Sequence, residues 1–221
     1  MDLSQIQLSF AAGTLLLRGL PHEQLRSLFH GVVWVFDPRV GASRCDAMHY
    51  HTVVSVLNSR HISFENQISE PRPIYWPADS LPELRPEQAA AVQAWQEHDG
   101  RGCIVMPTGT GKTEVALRIM QLTRTATLVV APIRDLMYQW HRRILRGLHY
   151  DAGIIGDQTF RLQPISVTTY DSACIHMAQL GDRFGLIVFD EDQVHHQTDY
   201  LTRREVFPCR FVGEFGELPD Q

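Results

Sequence analysis

The segment from Met106 to Thr113 reads Met-Pro-Thr-Gly-Thr-Gly-Lys-Thr and is rich in glycine. Gly109 and Gly111 would let backbone N–H groups converge on phosphate oxygens, and a helix after them would add the partial positive charge of its N-terminus. Lys112 is the only lysine in a chain with 20 Lys and Arg residues. A compact ammonium on a flexible stem reaches the β- and γ-phosphates of a nucleotide, whereas a planar guanidinium does not fit the same cradle. The sequence therefore predicts a phosphate-binding loop whose contacts come from Thr108, Gly109, Thr110, Gly111, Lys112 and Thr113.

A second group of polar residues follows an apolar run near residue 190. The run Leu186-Ile187-Val188-Phe189 ends in Asp190 and Glu191. A strand that ends in acids places carboxylates at the carboxyl edge of a sheet, beside the phosphate loop. We expect Thr113 and Asp190 to hold Mg²⁺ and Glu191 to polarise an attacking water, with Lys112, Asp190 and Glu191 as the catalytic set. The alternatives are a surface lysine at position 112 and an acid pair on an ordinary loop.

The elements that would position these residues alternate between strand and helix patterns from about residue 100 onward. Continuously apolar runs predict strands at Cys103–Met106, Thr127–Ala131, Ile165–Thr168 and Leu186–Phe189, with helices between them. Such strands are expected where helices cover both faces of a parallel sheet. Four prolines between Glu70 and Pro82 predict an extended linker. We therefore expect an α/β fold with a small α/β domain at 1–69, a linker at 70–83 and a doubly wound parallel sheet at 84–221.

The composition limits the class of protein. The 221 residues are 44% hydrophobic and 20% charged, with a net charge of −5. No apolar run approaches a membrane span and the start lacks a basic, then apolar, signal segment, so we expect a cytoplasmic chain with no membrane partner. Four cysteines form no CxxC motif, which favours reduced thiols. Because the net charge is negative, any contact with DNA must be a local patch.

The motifs resemble those of XPB-like superfamily 2 helicases of archaea and bacteria. Leu84-Arg85-Pro86-Glu87-Gln88 is similar to the family segment in which a glutamine reads adenine, and a side-chain amide can pair with both N6 and N7 of that base. The resemblance therefore implies that the nucleotide is ATP and that Arg85 and Gln88 contact it. An exposed helix face is the alternative position for Gln88.

Two further segments resemble motifs that contact the DNA backbone in this family. They are Val130–Trp140 and Val167–Ala173, and they imply DNA contacts by Arg134, Thr168 and Thr169. The two threonines are equally well suited to cap the helix after them. Arg142, Arg143 and Arg146 either extend a basic patch or form a solvated helix face.

The amino-terminal part has a weaker resemblance. Residues 35–44 are similar to the Phe-Asp-x-Arg-x-Gly-x-x-Arg segment of XPB-type damage-recognition domains, which are thought to probe DNA for distortion.

The chain also departs from the family pattern. Met106 replaces the first glycine of the loop, two residues separate Asp190-Glu191 from Val194-His195-His196, and Gly213–Glu217 stands in place of a Thr-Ala-Thr motif. These motors have a second RecA-like lobe that supplies an arginine finger, and the sequence stops before such a lobe. We therefore expect weak or no ATP hydrolysis by the isolated chain.

The resemblance implies an ATP-dependent DNA helicase or translocase, represented by its N-terminal domain and first RecA-like lobe. Its ligands would be ATP, Mg²⁺ and duplex or junction DNA. Its protein partners would be a nuclease or a chain that supplies the second lobe. Two alternatives stay open. One is a truncated, non-catalytic DNA-binding or regulatory module descended from such a helicase, and the other is an ATPase that acts on protein or small molecules.

Overall fold

The structure is a computed structural model. It describes residues 6–68, 71, 73–76, 81–107 and 109–190, and the backbone of 211–216. Two sheets organise these residues, one before residue 67 and one after residue 100.

The first sheet has five strands in the order β3-β4-β2-β1-β5. Only the pair of β1 and β5 is parallel, and the other neighbours are antiparallel. Leu8, Leu15 and Leu17 point from it into a core that also holds Val53 and Leu57 of α2. The elements of this part are β1 (Ile6–Ala11), β2 (Thr14–Arg18), α1 (His22–Leu28), β3 (Val35–Asp37), β4 (Ala42–Asp46), α2 (Tyr50–Ser59) and β5 (Phe64–Asn66).

Where the structure describes it, the proline-rich segment is tied to residues 124 and 125, directly before a strand of the second sheet. Ile74 is buried, and its N–H donates to the Arg124 carbonyl at 2.8 Å. Pro73 forms an isolated antiparallel bridge with Thr125. An extended chain can lie along another segment in this way because its backbone groups are not consumed by a helix. The helix α3 (Pro86–Glu97) then leads into the second sheet.

The second sheet has seven strands in the order β6-β12-β11-β7-β10-β8-β9. All neighbours are parallel except β8 and β9, which form an antiparallel hairpin. Asp157 and Gln158 make its turn with positive φ values of 50° and 60°, as a two-residue hairpin turn requires. The elements are β6 (Arg101–Val105), α4 (Lys112–Thr123), β7 (Thr127–Ala131), α5 (Arg134–Leu148), β8 (Gly153–Gly156), β9 (Thr159–Phe160), β10 (Ile165–Thr169), α6 (Tyr170–Ile175), α7 (Met177–Leu180), β11 (Leu186–Asp190) and β12 (Phe211–Gly216).

Helices cover both faces of this sheet, which explains why its strands are largely apolar. Val129 and Val188 face a core shared with α4 and α5. Leu128 and Ile187 face the opposite core, shared with α6 and α7. Because successive strand residues point to opposite faces, a strand buried on both sides is apolar at most positions. The buried exceptions Thr127, Ser166 and Thr168 donate their hydroxyls to carbonyl groups. The prediction of a doubly wound α/β sheet is therefore confirmed, with β9 as an antiparallel addition.

The carboxyl ends of the parallel strands meet at one edge. The loop 106–111 follows β6, Arg134 follows β7, Thr169 ends β10 and Asp190 ends β11. This edge is where ligands bind in open α/β sheets. No helix within the described ranges has the length and apolar character needed to cross a membrane.

Candidate nucleotide-binding site

The phosphate loop is shaped by its two glycines. Gly109 and Gly111 have φ values of +77° and +86°, a region that residues with a Cβ rarely adopt. Between them, the Thr110 hydroxyl donates to the Pro107 carbonyl at 2.6 Å, and the Thr110 N–H donates to the same oxygen at 3.3 Å. The loop thus turns back on itself directly before α4. Thr108 lies outside the described residues.

Lys112 and Thr113 are the first two residues of α4, and Gly111 is its N-cap. The first N–H groups of a helix have no intrahelical acceptor, and they carry the positive end of the helix dipole. A helix start after positive-φ glycines is a site for a phosphate group. Lys112 and Thr113 therefore lie at the start of a helix that follows the glycine loop, which is the position that the sequence predicts.

Gln88 connects α3 to the phosphate loop. Its side-chain amide nitrogen donates to the Thr110 carbonyl at 2.8 Å, and its amide oxygen accepts from the Arg85 N–H at 2.9 Å. The side chain is only 3% exposed, so it does not lie on an exposed helix face. A Cβ on Gly111 would collide with the Gln88 amide nitrogen, which means that this contact needs glycine there. The adenine contact of Gln88 stays a prediction, as does that of Arg85, whose guanidinium lies 3.8 Å from the exposed Glu87 carboxylate.

Asp190 is the last residue of β11 and is half-buried. Its Oδ2 accepts a hydrogen bond of 2.6 Å from the indole Nε1–H of Trp140. Trp140 belongs to α5 and is 4% exposed. Glu191, the predicted water-polarising residue, lies outside the described residues. The described part of the site therefore contains a phosphate loop and one carboxylate at the same sheet edge.

The chemistry of this donor set fits a magnesium nucleotide. A helix N-terminus, positive-φ glycines and an ammonium suit phosphate oxygens, and a hydroxyl and a carboxylate are the oxygen ligands that Mg²⁺ prefers. Lys112 and the loop backbone would hold the phosphates. Thr113 and Asp190 would hold the metal ion, in part through its waters.

Arg134 begins α5 at the same edge. Its guanidinium donates to Asp157 Oδ1 at 2.7 Å, and the Tyr138 hydroxyl donates to Asp157 Oδ2 at 3.0 Å. Hydrogen bonds from Arg134 and then from Tyr138 lower the pKa of the Asp157 carboxyl, and the Asp157 carboxylate in turn raises the pKa of Arg134. The Arg134 side chain is 63% exposed, so the ion pair leaves it accessible to an anionic ligand.

The two threonines predicted to contact DNA are engaged within the protein. Thr168 is fully buried, and its hydroxyl donates to the Ile155 carbonyl at 2.7 Å. Thr169 is the N-cap of α6 and accepts from the Ser172 N–H at 3.3 Å. Thr169 thus takes the capping role that was the alternative for this pair. Their DNA contacts stay predictions.

The arginines of the central part of α5 surround a shallow pocket. Gln139, Arg142, Arg143 and Arg146 line a volume of about 320 Å³. Arg143 also donates to Glu114 Oε1 at 3.3 Å, in the first turn of α4. One of the three arginines is therefore a link between α5 and the helix that follows the phosphate loop.

The segment 35–44 of the first sheet forms an ionic cluster around Asp37. The Asp37 carboxylate is 7% exposed and accepts from Arg39 Nε at 3.0 Å and from Arg44 Nε at 2.8 Å. These hydrogen bonds, from Arg39 and then Arg44, hold the pKa of Asp37 well below its usual range. Arg44 also donates to the Thr14 hydroxyl at 2.7 Å, so it ties β4 to the start of β2.

Two family profiles match the chain. Residues 81–210 match that of the type III restriction enzyme res subunit, which is more than half of the 221 residues. The chain belongs to this family. Residues 8–68 match the profile of the xeroderma pigmentosum group B (XPB) helicase damage recognition domain. Together the matches confirm the predicted membership of the XPB-like superfamily 2 helicases.

Curated relatives of the chain are named as DNA translocases or helicases. Over 150 residues the chain is 43% identical to the DNA 3'-5' translocase XPB2 of Sulfurisphaera tokodaii, which covers 68% of this chain and 33% of that protein. Over 128 residues it is 34% identical to the putative DNA 3'-5' helicase Rad25 of Halobacterium salinarum, which covers 55% of this chain and 21% of that protein. The chain thus aligns with a third or less of the length of these relatives.

Solved structures of a helicase and of an ATPase core share the fold. The UvsW helicase from bacteriophage T4 has a TM-score of 0.54 at 13% identity, over 96% of this chain and 92% of that one. The Sulfolobus solfataricus SWI2/SNF2 ATPase core, solved in complex with dsDNA, has a TM-score of 0.53 at 18% identity, over 67% of this chain and 35% of that one. The predicted RecA-like fold class is confirmed.

Sequence reasoning missed two site residues of this XPB-like chain. Trp140 was noted only as part of a motif, and Asp157 was not noted at all. Trp140 and Asp190 are 50 positions apart, so no local pattern joins them. A tryptophan within the otherwise arginine-rich helix after β7 was the one available signal.

Proposed function

We propose that this chain is the ATP- and DNA-binding portion of an XPB-like DNA translocase. One observation carries the proposal: the only lysine opens α4 directly after two positive-φ glycines, at the sheet edge where β11 presents Asp190. ATP with Mg²⁺ is the ligand that matches this set, and the relatives named as DNA 3'-5' translocase and helicase supply the class of motor.

The roles of the residues follow from their chemistry. The loop backbone and the Lys112 ammonium bind the phosphates and compensate their charge. Thr113 and Asp190 orient the metal ion, and Gln88 fixes the loop through the Thr110 carbonyl. Bound Mg²⁺ would neutralise charge that develops between the β- and γ-phosphates. Glu191 would orient the attacking water as a general base.

DNA is proposed to lie across the same edge. Arg134 is an exposed cation there, and arginine is suited to phosphate contacts that carry no sequence information. The dsDNA complex of the SWI2/SNF2 core of similar fold supports this assignment as an analogy.

The test is calorimetric titration of the purified chain with ATP and Mg²⁺. The wild type should bind, and Lys112→Ala should lose at least about tenfold in affinity, because one charge-assisted phosphate contact is worth about 1.5–3 kcal/mol. Arg118→Ala is the matched control, since it removes a cation from the same helix, six positions after Lys112. Equal binding by the wild type and Lys112→Ala would refute the site.

Binding separates the proposal from its alternatives better than turnover does, because it depends directly on the groups proposed to hold the phosphates, which are Lys112 and the loop backbone. A non-catalytic module that has lost its nucleotide site would give no heat with ATP and Mg²⁺, yet would still bind DNA. An ATPase for protein or small molecules would bind ATP and show no salt-dependent affinity for DNA.

A further inference from the structure

Trp140 occupies an unusual position between the helical layer and the nucleotide site. It lies on the buried side of α5, in the same core cluster as the fully buried Met137 and Ile144. The only polar atom of its side chain is the indole nitrogen, whose N–H donates to Asp190 Oδ2 at 2.6 Å. A buried indole N–H normally finds an acceptor. Here that acceptor is the carboxylate proposed to hold Mg²⁺.

We propose that Trp140 is a positioning residue, which orients the Asp190 carboxylate for Mg²⁺. The inference rests on the proposed function, because it assumes that Asp190 is a magnesium ligand. An indole N–H can only donate, so the bond selects Oδ2 as acceptor. The χ2 torsion of an aspartate, which rotates its carboxylate, has broad and roughly two-fold preferences. A hydrogen bond to one carboxylate oxygen therefore fixes this rotation, which the backbone conformation does not determine.

The packing of α5 holds Trp140 in place, so that its hydrogen bond can orient the Asp190 carboxylate. The helix runs for 15 residues and buries Met137, Trp140, Ile144 and Leu148 along one side. These anchors hold the indole in place, since a tightly packed core side chain cannot turn without moving its neighbours. The carboxylate therefore adapts to the indole rather than the reverse.

The same helix contacts the other half of the site. Arg143, three positions after Trp140, donates to Glu114 at 3.3 Å. Glu114 lies in the first turn of α4, beside Lys112 and Thr113. Residues three apart lie on one side of a helix. One side of α5 thus touches both β11, which carries Asp190, and α4, which carries the phosphate-binding residues.

The first experiment measures how ATP binding depends on Mg²⁺. Trp140→Phe keeps an aromatic ring in the core and removes the donor. Loss of a residue that orients a metal ligand typically costs 10–100-fold in metal affinity, so the Mg²⁺ concentration for half-maximal ATP binding should rise about tenfold. Binding should be restored at high Mg²⁺, because the phosphate-binding groups are intact. An unchanged Mg²⁺ midpoint in Trp140→Phe would overturn the proposal.

Trp34→Phe is the matched control. Trp34 is 5% exposed, similar to Trp140, and its indole N–H has no hydrogen-bond partner among the described residues. The same substitution there should leave the Mg²⁺ midpoint unchanged. If both variants shift the midpoint equally, the effect is a general consequence of disturbing a core, and the positioning role is wrong.

A second measurement needs no change at Trp140. The chain has four tryptophans, and ¹⁵N-labelled indoles give one NMR signal each. One signal should lie downfield as expected for a charge-assisted hydrogen bond, and Asp190→Asn should move that signal more than the other three. If Asp190→Asn moves none of them, the bond does not exist in solution and the proposal fails, even if Trp140→Phe does not fold.

These outcomes distinguish a failure of the proposed ATP-binding function from a failure of the positioning role of Trp140. No ATP binding by the wild type at any Mg²⁺ concentration refutes the proposed function. Wild-type binding with the same Mg²⁺ midpoint in Trp140→Phe refutes the positioning role alone.

Discussion

At the scale of single residues, the chain shows why arginine and lysine are not equivalent. Every basic residue of the Lys and Arg type is an arginine except Lys112. Elsewhere arginines use their forked donors on carboxylates, as Arg39 and Arg44 do on Asp37. Lys112 carries a compact charge on a flexible stem at the loop proposed to bind phosphate oxygens. This contrast was readable from the sequence alone.

Asp37 gives a prediction about pH. Its pKa in the folded state is held below the ordinary value of about 4 by Arg39 and Arg44. A carboxyl with a depressed folded pKa contributes stability above its unfolded pKa, and that contribution is lost as the pH falls below it. Asp37→Asn should therefore lower the melting temperature at pH 7. The loss should shrink as the pH falls from about 5 toward 2.

Thermal unfolding of the wild type and Asp37→Asn across this pH range checks the prediction. Arg39→Ala and Arg44→Ala compare the two ion pairs of Asp37. The Arg39 side chain is 85% exposed, whereas that of Arg44 is 24% exposed. Solvent screens the exposed pair, so Arg39→Ala should cost less stability than Arg44→Ala. A difference between wild type and Asp37→Asn that does not change with pH would contradict the account.

At the scale of elements, the strands of the second sheet were the most predictable part. Residues buried on both faces leave a continuous apolar run, and β7 was predicted at its observed bounds, Thr127–Ala131. The edge of the first sheet was less predictable. The run Val32–Phe36 is entirely apolar, whereas β3 covers only Val35–Asp37 and leaves Val35 and Phe36 largely exposed. Apolar residues on an edge strand follow no burial pattern, so periodicity could not fix the register.

The junctions between strands and helices yield a prediction about DNA. Arg134 follows β7 at the carboxyl edge of the sheet, whereas Arg183 precedes β11 at the opposite edge. If DNA crosses the carboxyl edge, Arg134→Ala should lower the slope of log affinity against log salt by about 0.9, the value for one lost phosphate contact on duplex DNA. Arg183→Ala should leave the slope unchanged. Fluorescence anisotropy with labelled duplex at several salt concentrations measures both, and equal slopes for the two variants would refute the edge assignment.

At the scale of the whole molecule, the sequence predicted which residues lie at one sheet edge better than it predicted what they touch. Strand order places the loop after β6 and the end of β11 at the same edge, although β12 lies between these strands. The bonds of Gln88 to the loop and of Trp140 to Asp190 span 22 and 50 positions. Such contacts depend on how helices pack on the sheet, which no local pattern encodes.

Charge is also organised on this scale. A net charge of −5 gives the chain as a whole no attraction for nucleic acid, so affinity must come from the placement of a few arginines. Several of these arginines, such as Arg134, already pair with acids inside the chain. A DNA phosphate would have to compete with Asp157 for Arg134, which favours binding that is weak at high salt.

The central claim is that ATP and Mg²⁺ bind against Lys112, and the uniqueness of this lysine permits a direct measurement. An amine-reactive reagent can modify only Lys112 and the α-amino group of the chain, and mass spectrometry separates the two products. Saturating ATP with Mg²⁺ should slow modification of Lys112 several-fold and leave the α-amino group unaffected. If Lys112 is modified at the same rate with and without ATP and Mg²⁺, the nucleotide does not bind at this loop.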